Sequence, residues 1–436
     1  MDYTMQEVLQ FVEENDVKFI RLAFCDIFGT QKNVSIMPEE LPRAFETGVS
    51  FDASAIRGFM DVNESDLFLH PDPSTLSVLP WRPTHGRVVH MFCDIKRPDG
   101  SVFEGDGRQI LKRVVHEAAE MGYLCRIGSE CEFYLFQRDE QDRPTFLPHD
   151  QGSYCDIAPL DKGENIRREI CLSLEEMGIR PESSHHEQGP GQNEIDFKYS
   201  DALTAADNLV TFKAAVKSIA ALNGLHASFL PKPFAGKSGS GLHINLSLCR
   251  DGENLFSLKS SPEASSFMAG ILDKAAEITT FLNPLTNSYS RFGSFEAPKY
   301  ITWSHQNRSQ LIRIPAATGE YCRMELRSPD PSCNPYLAFA LILAAGLDGI
   351  RKGKELMPPT DENLYQIEAG GAWGLRTLPP TLGKALALTE KSEFVKSVIP
   401  EETIKRYLEV KHAEFERISN VQDRQKEELD LYFDRI

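Results

Sequence analysis

The residues best placed to do chemistry are Glu130 and Glu132, in the stretch Arg126-Ile-Gly-Ser-Glu-Cys-Glu-Phe-Tyr-Leu-Phe136. A strand repeats every two residues, so both carboxylates share one face, roughly 6–7 Å apart along the strand. That spacing suits two neighbouring metal ions, although a same-face pair by itself is more often a solvated strand face. Cys131, Phe133 and Leu135 mark the opposite face as buried. Further on, His185-His-Glu-Gln-Gly-Pro-Gly-Gln-Asn-Glu-Ile-Asp-Phe197 adds Glu187 and Glu194 across a Gly-Pro-Gly turn that can fold them toward a common point. Adjacent His185 and His186 project to opposite faces of a strand, which argues against a zinc dyad. Four glutamates with one histidine form a hard ligand set and favour Mg²⁺ or Mn²⁺.

Lys232-Pro-Phe-Ala-Gly-Lys-Ser-Gly-Ser-Gly-Leu-His-Ile-Asn-Leu-Ser247 runs a Gly/Ser loop into a strand carrying His243. Its glycines, Gly239 among them, let backbone approach a ligand closely. It lacks Walker spacing, and a plain hairpin loop with a core histidine fits equally well. A last cluster concentrates cations: Arg291, then Arg308 and Arg313 in Asn307-Arg-Ser-Gln-Leu-Ile-Arg-Ile-Pro315, then Arg323, Glu325 and Arg327 in Arg323-Met-Glu-Leu-Arg-Ser-Pro-Asp-Pro331. Guanidinium forks bind carboxylate and phosphate oxygens and offset the charge of phosphoryl transfer.

Elements must position these groups. Val17–Cys25 and residues 33–37 predict a hairpin around Asp26-Ile-Phe-Gly-Thr30, and residues 87–95 a further strand closed by Arg97-Pro-Asp-Gly100. Residues 109–121 have helical periodicity, which places a domain boundary near residue 100. Beyond it, helices are expected at about 163–178, 201–223, 262–280, 334–352 and 401–434, with strands at 124–137, 185–198, 241–248, 310–314 and 321–327, an α+β pattern. The charged tail after Lys411 reads as a packing or oligomer-contact element.

The 436 residues carry 47 Lys and Arg against 64 Asp and Glu, so the net charge is 47 − 64 = −17, which speaks against nucleic acid as a partner. The N-terminal fifteen residues lack a basic start and an unbroken apolar core; they predict an amphipathic helix rather than a signal peptide. The apolar run at 336–347 is too short for a membrane span and predicts a buried helix. Nine cysteines with no CxxC pair point to reduced thiols and a cytosolic setting, with Cys131 in the core.

In order and spacing, Glu-Cys-Glu, HHE with GQNE, KPxxG with GSGLH, NPLTNSY, NRSQLIRIP and RMELRSPDP resemble the glutamine synthetase family, bacterial type I class, along almost the whole chain. The resemblance implies a β-grasp domain over 14–98, a catalytic domain over 104–436, and hexameric rings stacked into a dodecamer with each active site between neighbouring subunits. It implies ATP as co-substrate and two or more Mg²⁺ or Mn²⁺ ions per site, one held by Glu132, Glu187 and Glu194, the other by Glu130, His243 and Glu325. Arg308 and Arg313 would face the nucleotide phosphates, and Arg291 and Arg327 glutamate and the transferred phosphoryl group, with Gly239 lining the substrate loop. Asp52 and Glu296 would bind ammonium and take its proton, and Tyr154 would complete that pocket.

Three departures fall on the glutamate and amine side. The family's Asp-Gly-Ser-Ser is Asp52-Ala-Ser-Ala55, the flap reads Arg291-Phe-Gly-Ser-Phe-Glu-Ala-Pro298 and is one residue short, and Asn-Gly-Ser-Gly is Ser238-Gly-Ser-Gly241. Glutamine formation, ligation of a polyamine or monoamine to glutamate, and a nitrogen-sensing relative with little turnover all remain open on this reading. Asn363-Leu-Tyr365 resembles the family's modification loop, but the residues after it depart, so an exposed unmodified tyrosine is expected.

Overall fold

The structure is a computed structural model and describes residues 3–81, 86–258, 260–366 and 374–436. Helix α1 (Met5–Glu14) starts at a capping box: the Glu7 N–H donates to Thr4 Oγ1, and the Thr4 N–H donates back to the Glu7 carboxylate at 2.7 Å. Strands β1 (Val17–Cys25) and β2 (Gln31–Ile36) form the expected antiparallel hairpin. Asp26 closes its turn, Oδ1 accepting from the N–H groups of Phe28 and Thr30. Helix α2 (Leu41–Thr47) and strands β3 (Val49–Asp52), β4 (Asp66–Pro71), β5 (Ser77–Val78) and β6 (Arg87–Lys96) follow. The sheet runs β2-β1-β6-β4-β3 with β5 on β6, and its inward residues Ile20, Leu22, Val89 and Met91 are fully buried.

The larger domain places helices around a second sheet. In chain order come α3 (Gly107–Glu120), β7 (Leu124–Arg138), β8 (Pro144–Pro148), α4 (Glu164–Glu176), β9 (Pro181–His186), β10 (Gln192–Asp201), α5 (Ala202–Leu222), β11 (Leu225–Ser228), β12 (Leu242–Arg250) and β13 (Glu253–Asn254). Then follow α6 (Pro262–Leu282), β14 (Trp303–His305), β15 (Ile312–Ile314), β16 (Met324–Leu326), α7 (Pro335–Arg351), α8 (Leu382–Thr389), α9 (Glu393–Val398), α10 (Glu401–Ser419) and α11 (Arg424–Tyr432). The strand order is β14-β15-β16-β12-β7-β10-β9, with β8 and β11 also on β7. The run at 336–347 lies within α7 and is buried throughout, as its composition required.

The two domains are locked by charge and by close approach. Arg108, on α3, reaches Asp72 and Asp94 of the small domain and Asp207 of α5 at 2.9–3.0 Å. Gly29 has φ +81°, and a Cβ there would lie 2.6 Å from the Cα of Asn334, so the hairpin turn sits directly on the start of α7. Asn334 Nδ2 donates to the carbonyls of Asp26 and Ile27 across the same contact.

Two expected elements come out differently. The segment at 185–198 is two strands, β9 and β10, because Gly189-Pro-Gly191 turns the chain back, with Gln192 N–H donating to the Gly189 carbonyl. The helix expected over 401–434 breaks after Ser419 and restarts when Asp423 accepts from the Lys426 N–H. The tail is a packing element in this chain: Glu428 accepts from Thr286 and Asn287, and Phe433 packs edge-on against Phe136. Helices α8 and α9 went unanticipated. Every cysteine is a free thiol, and Cys131 is fully buried.

Candidate active site

Strand register assembles the carboxylates. Across β9, β10 and β7, His185 faces Glu194 and Glu194 faces Glu132. One row along, Asp196 faces Glu130 and Glu130 faces His243 on β12. In the next row Asn245 faces Glu325 on β16, and Glu325 faces Arg313 on β15. The period-two spacing of Glu130 and Glu132 therefore sets the pitch of a ligand array several strands wide.

Two groups of ligand atoms converge. Glu130, His243 and Glu325 lie with ligand atoms within 4.8 Å of one another, the grouping expected for the second ion. His243 Nδ1 stands 3.2 Å from Glu130 and 3.7 Å from Glu325. The other group is His185, Glu187 and Glu194, with His185 Nε2 3.1 Å from Glu187. Glu132 lies beside this group, its Oε2 accepting from Gln192 Nε2 and the Gly241 N–H at 2.9 Å. Alternation along the strand speaks only against a histidine dyad, and the expected ligand set leaves His185 out. The two rings do diverge: His186 turns to Asp150 at 2.8 Å and to the Glu187 carbonyl at 2.6 Å. Asp150, Asp161 and His186 also cluster, but backbone N–H groups, Arg167 and His186 itself engage those carboxylates.

The site carries more negative charge than it can settle alone. Burial, with Glu187 nearby, pushes Glu132 up to about 7, and burial with the charges of Asp196 and Glu132 raises Glu194 well above the usual carboxylate range. Burial and Glu130 also raise Asp196, whose Oδ1 is buried without a hydrogen-bond partner. Glu130 and Glu325 go the other way: burial opposes ionisation of both, but His243 and the Asn245 amide draw Glu130 down to about 2, and Arg327 and His243 hold Glu325 below the usual carboxylate range. Crowded, dehydrated oxygens with one imidazole in each group are the donor set of a hard divalent cation, so the residues fit Mg²⁺ or Mn²⁺.

The arginines line the β15–β16 side. Glu325, fully buried, binds both Arg313 and the fully buried Arg327. Arg327 Nη2 also lies 3.5 Å from Glu296, which Arg308 approaches at 3.6 Å. Arg291 is buried and donates to the Ser328 and Pro329 carbonyls at 3.0 and 3.3 Å; burial lowers its pKa. Gly239 is required by space: a Cβ would fall 2.3 Å from the Pro231 carbonyl oxygen and 2.7 Å from Arg291 Cγ. Ser238 is buried, its hydroxyl 3.2 Å from Gln188.

The flap is a tight turn in which Gly293 N–H donates to the Ala297 carbonyl at 2.8 Å. Phe295 and Glu296 both take left-handed φ values, 48° and 62°, which side chains other than glycine rarely adopt in succession. Lys232 Nζ sits 4.4 Å from the Phe295 ring centroid. Tyr154 is half exposed and meets the His185 ring edge-on at 5.3 Å. Asp52 is not brought to the cluster within this chain: its carboxylate accepts from the N–H and hydroxyl of Ser54, and those bonds lower its pKa. Tyr365 is half-buried rather than exposed, its hydroxyl donating to the Arg308 carbonyl at 3.3 Å; residues 367–373, where the loop departs from the family pattern, lie outside the described residues. Among the described residues, no helix is long and apolar enough to cross a membrane.

Comparison with known proteins agrees with this geometry. Residues 16–98 match the glutamine synthetase β-grasp domain family, and residues 104–432 the glutamine synthetase catalytic domain family. Glutamine synthetase of Methanosarcina mazei is 47% identical over 96% of this chain and 95% of its own length, and that of Clostridium saccharobutylicum 46% identical over 95% of each. Among solved structures, a GmaS–ADP complex superposes with a TM-score of 0.87 at 31% identity, covering 98% of this chain and 99% of its own. Plasmodium falciparum glutamine synthetase superposes with a TM-score of 0.87 at 25% identity, covering 98% of each chain. With a small sheet domain ahead of a metal-ready carboxylate array, and with relatives matched end to end, this chain belongs to the glutamine synthetase family.

Proposed function

We propose that the chain joins ammonia to the γ-carboxylate of glutamate at the expense of ATP, forming glutamine, ADP and phosphate through γ-glutamyl phosphate. The observation that carries this reading is the shared face of β9, β10, β7, β12 and β16, where two ligand groups stand beside two arginines paired on the buried Glu325. Glu132, Glu187 and Glu194, with His185 close by, would hold one divalent ion, and Glu130, His243 and Glu325 the other. Bound there, Mg²⁺ or Mn²⁺ supplies the charge neutralisation that lets a carboxylate attack the γ-phosphate.

The chain's own groups divide the remaining work. Arg308 and Arg313 address the triphosphate, and Arg327, fixed between Glu325 and Glu296, meets charge that develops on the transferred phosphoryl group. Arg291 and the Gly239 backbone receive glutamate. Ammonium is not a nucleophile, so Glu296 and Asp52 hold the cation and take its proton, with Tyr154 walling the pocket. Among the described residues the Asp52 carboxylate bonds to Ser54 within the small domain; it would serve a neighbouring subunit in a hexameric ring, with rings stacked as a dodecamer in the cytoplasm. We take 14–98 and 104–436 as the working domains.

The departures at Asp52–Ala55, the flap and Ser238 are what an organic-amine acceptor would draw on. The curated relatives at 44–47% identity, all named glutamine synthetase, favour ammonia. Phosphate release with ATP, Mg²⁺ and glutamate is expected to be fastest with ammonium when putrescine, ethanolamine and methylamine are tried beside it. A large preference for an organic amine would overturn the acceptor, and no turnover with any amine would overturn the enzyme.

A further inference from the structure

Away from the carboxylate array, a cavity of about 340 Å³ opens between the two domains. The β1–β2 hairpin and Trp81 form one side; α5, Phe229 and the residues Arg435 and Ile436 form the other. None of these belongs to the metal, arginine or flap groups above.

Its charged side chains are all of one sign. Arg21, Lys213, Lys217 and Arg435 line it, and no Asp or Glu does among the described residues, in a chain of net charge −17. Lys213 Nζ donates to the Pro331 and Cys333 carbonyls at 3.2 and 3.3 Å, and Lys217 Nζ to the Arg435 carbonyl at 2.8 Å. Carbonyl oxygens satisfy the hydrogen bonds of an ammonium group but leave its charge unmatched. The two lysines stand four residues apart on α5, where like charges repel. Burial, reinforced by Lys213, brings Lys217 down to about 8, the mark of a cation short of a counter-charge.

The rest of the wall is apolar with loose polar ends. Phe28, Trp81 and Phe229 supply ring surface, and Trp81 Nε1 and His90 Nδ1 are buried without hydrogen-bond partners. A pocket of this size, with aromatic walls and a few convergent cations, suits a metabolite-sized molecule rather than a bare ion.

We propose that this cavity is a second ligand site, separate from the catalytic one, that takes a small organic anion: a carboxylate or phosphate group on an apolar body. Because both domains furnish its walls, an occupant stabilises their docked arrangement.

Isothermal titration of the intact protein with 1-naphthoate tests this, with ADP, Mg²⁺ and glutamate saturating so that the catalytic site is filled. One binding event per chain is expected, weakened about tenfold in Lys217→Gln and in Arg435→Gln, each of which loses one charge-assisted contact. Neutral 1-naphthamide should bind wild-type protein at least about tenfold more weakly, a control that needs no variant to fold. Absence of naphthoate binding, equal binding of the amide, affinity unchanged in both variants, or displacement by glutamate and ADP would each overturn the proposal.

Discussion

The metal-and-phosphate half of this site is built on hydrogen-bonded strands, whereas the acceptor half is built on turns and on the other domain. Glu130, Glu132, Glu194, His243 and Glu325 stand at fixed register positions of one sheet, and their partners are at most one strand away. Glu296 sits on a turn with two left-handed residues, Tyr154 on a half-exposed loop, and Asp52 in the small domain. A register cannot slip by one residue without turning every side chain to the other face. The acceptor half has no such lock, and two of the three departures from the family pattern fall there, the third being Ser238 in the loop that receives glutamate.

If that contrast is sound, damage to the strand half should be the most severe. Glu325→Gln leaves Arg313 and Arg327 without their shared counter-charge. We expect turnover to fall about 10²–10³-fold and stability by about 3–5 kcal/mol, read by phosphate release and urea unfolding. On the turn, Glu296→Gln should cut amine-dependent turnover comparably while lowering stability by no more than about 0.5 kcal/mol, since Glu296 is partly exposed and its arginine contacts are long. Equal destabilisation by the two variants would erase the distinction.

A subtler test uses the excess charge. Glu194→Gln removes one of several crowded, dehydrated carboxylates, so the metal-free protein should melt at a higher temperature, by about 1–2 kcal/mol of added stability, while the increment from Mg²⁺ or Mn²⁺ shrinks. A metal-free variant less stable than wild type would show that the array is already compensated. The smallest effect belongs to Ala55→Ser, which restores one hydroxyl: the KM for ammonium should fall about two- to fivefold, with the metal requirement unchanged. An unaltered KM would remove Ala55 from the acceptor site.

Much of the strand half was legible because period two is a local signal. Glu130 and Glu132 announce a shared face within three residues, and the turn at Gly189-Pro-Gly191 announces that Glu187 and Glu194 fold toward each other. What sequence does not carry is register between strands. Asp196 follows Glu194 at the same spacing, yet only pairing with β7 reveals that it faces Glu130. Alternation along a strand speaks against a His185–His186 dyad but does not say which ring faces the carboxylates; the fold shows that His185 joins Glu187. The break between α10 and α11 was missed because a charged helical pattern continues through Asn420, and only the cap at Asp423 marks the restart. The burial of Tyr365 depends on its packing against the Arg308 segment, a tertiary contact with no local trace.

The central claim is that phosphoryl transfer to glutamate is complete in the strand half and does not wait for the acceptor. Positional isotope exchange in ATP labelled at the β,γ-bridge, with Mg²⁺ and glutamate but no amine, measures that step directly. The account predicts glutamate-dependent scrambling in wild type and in Ala55→Ser, and its loss in Glu325→Gln. Amine-dependent turnover without any scrambling in the absence of amine would contradict it.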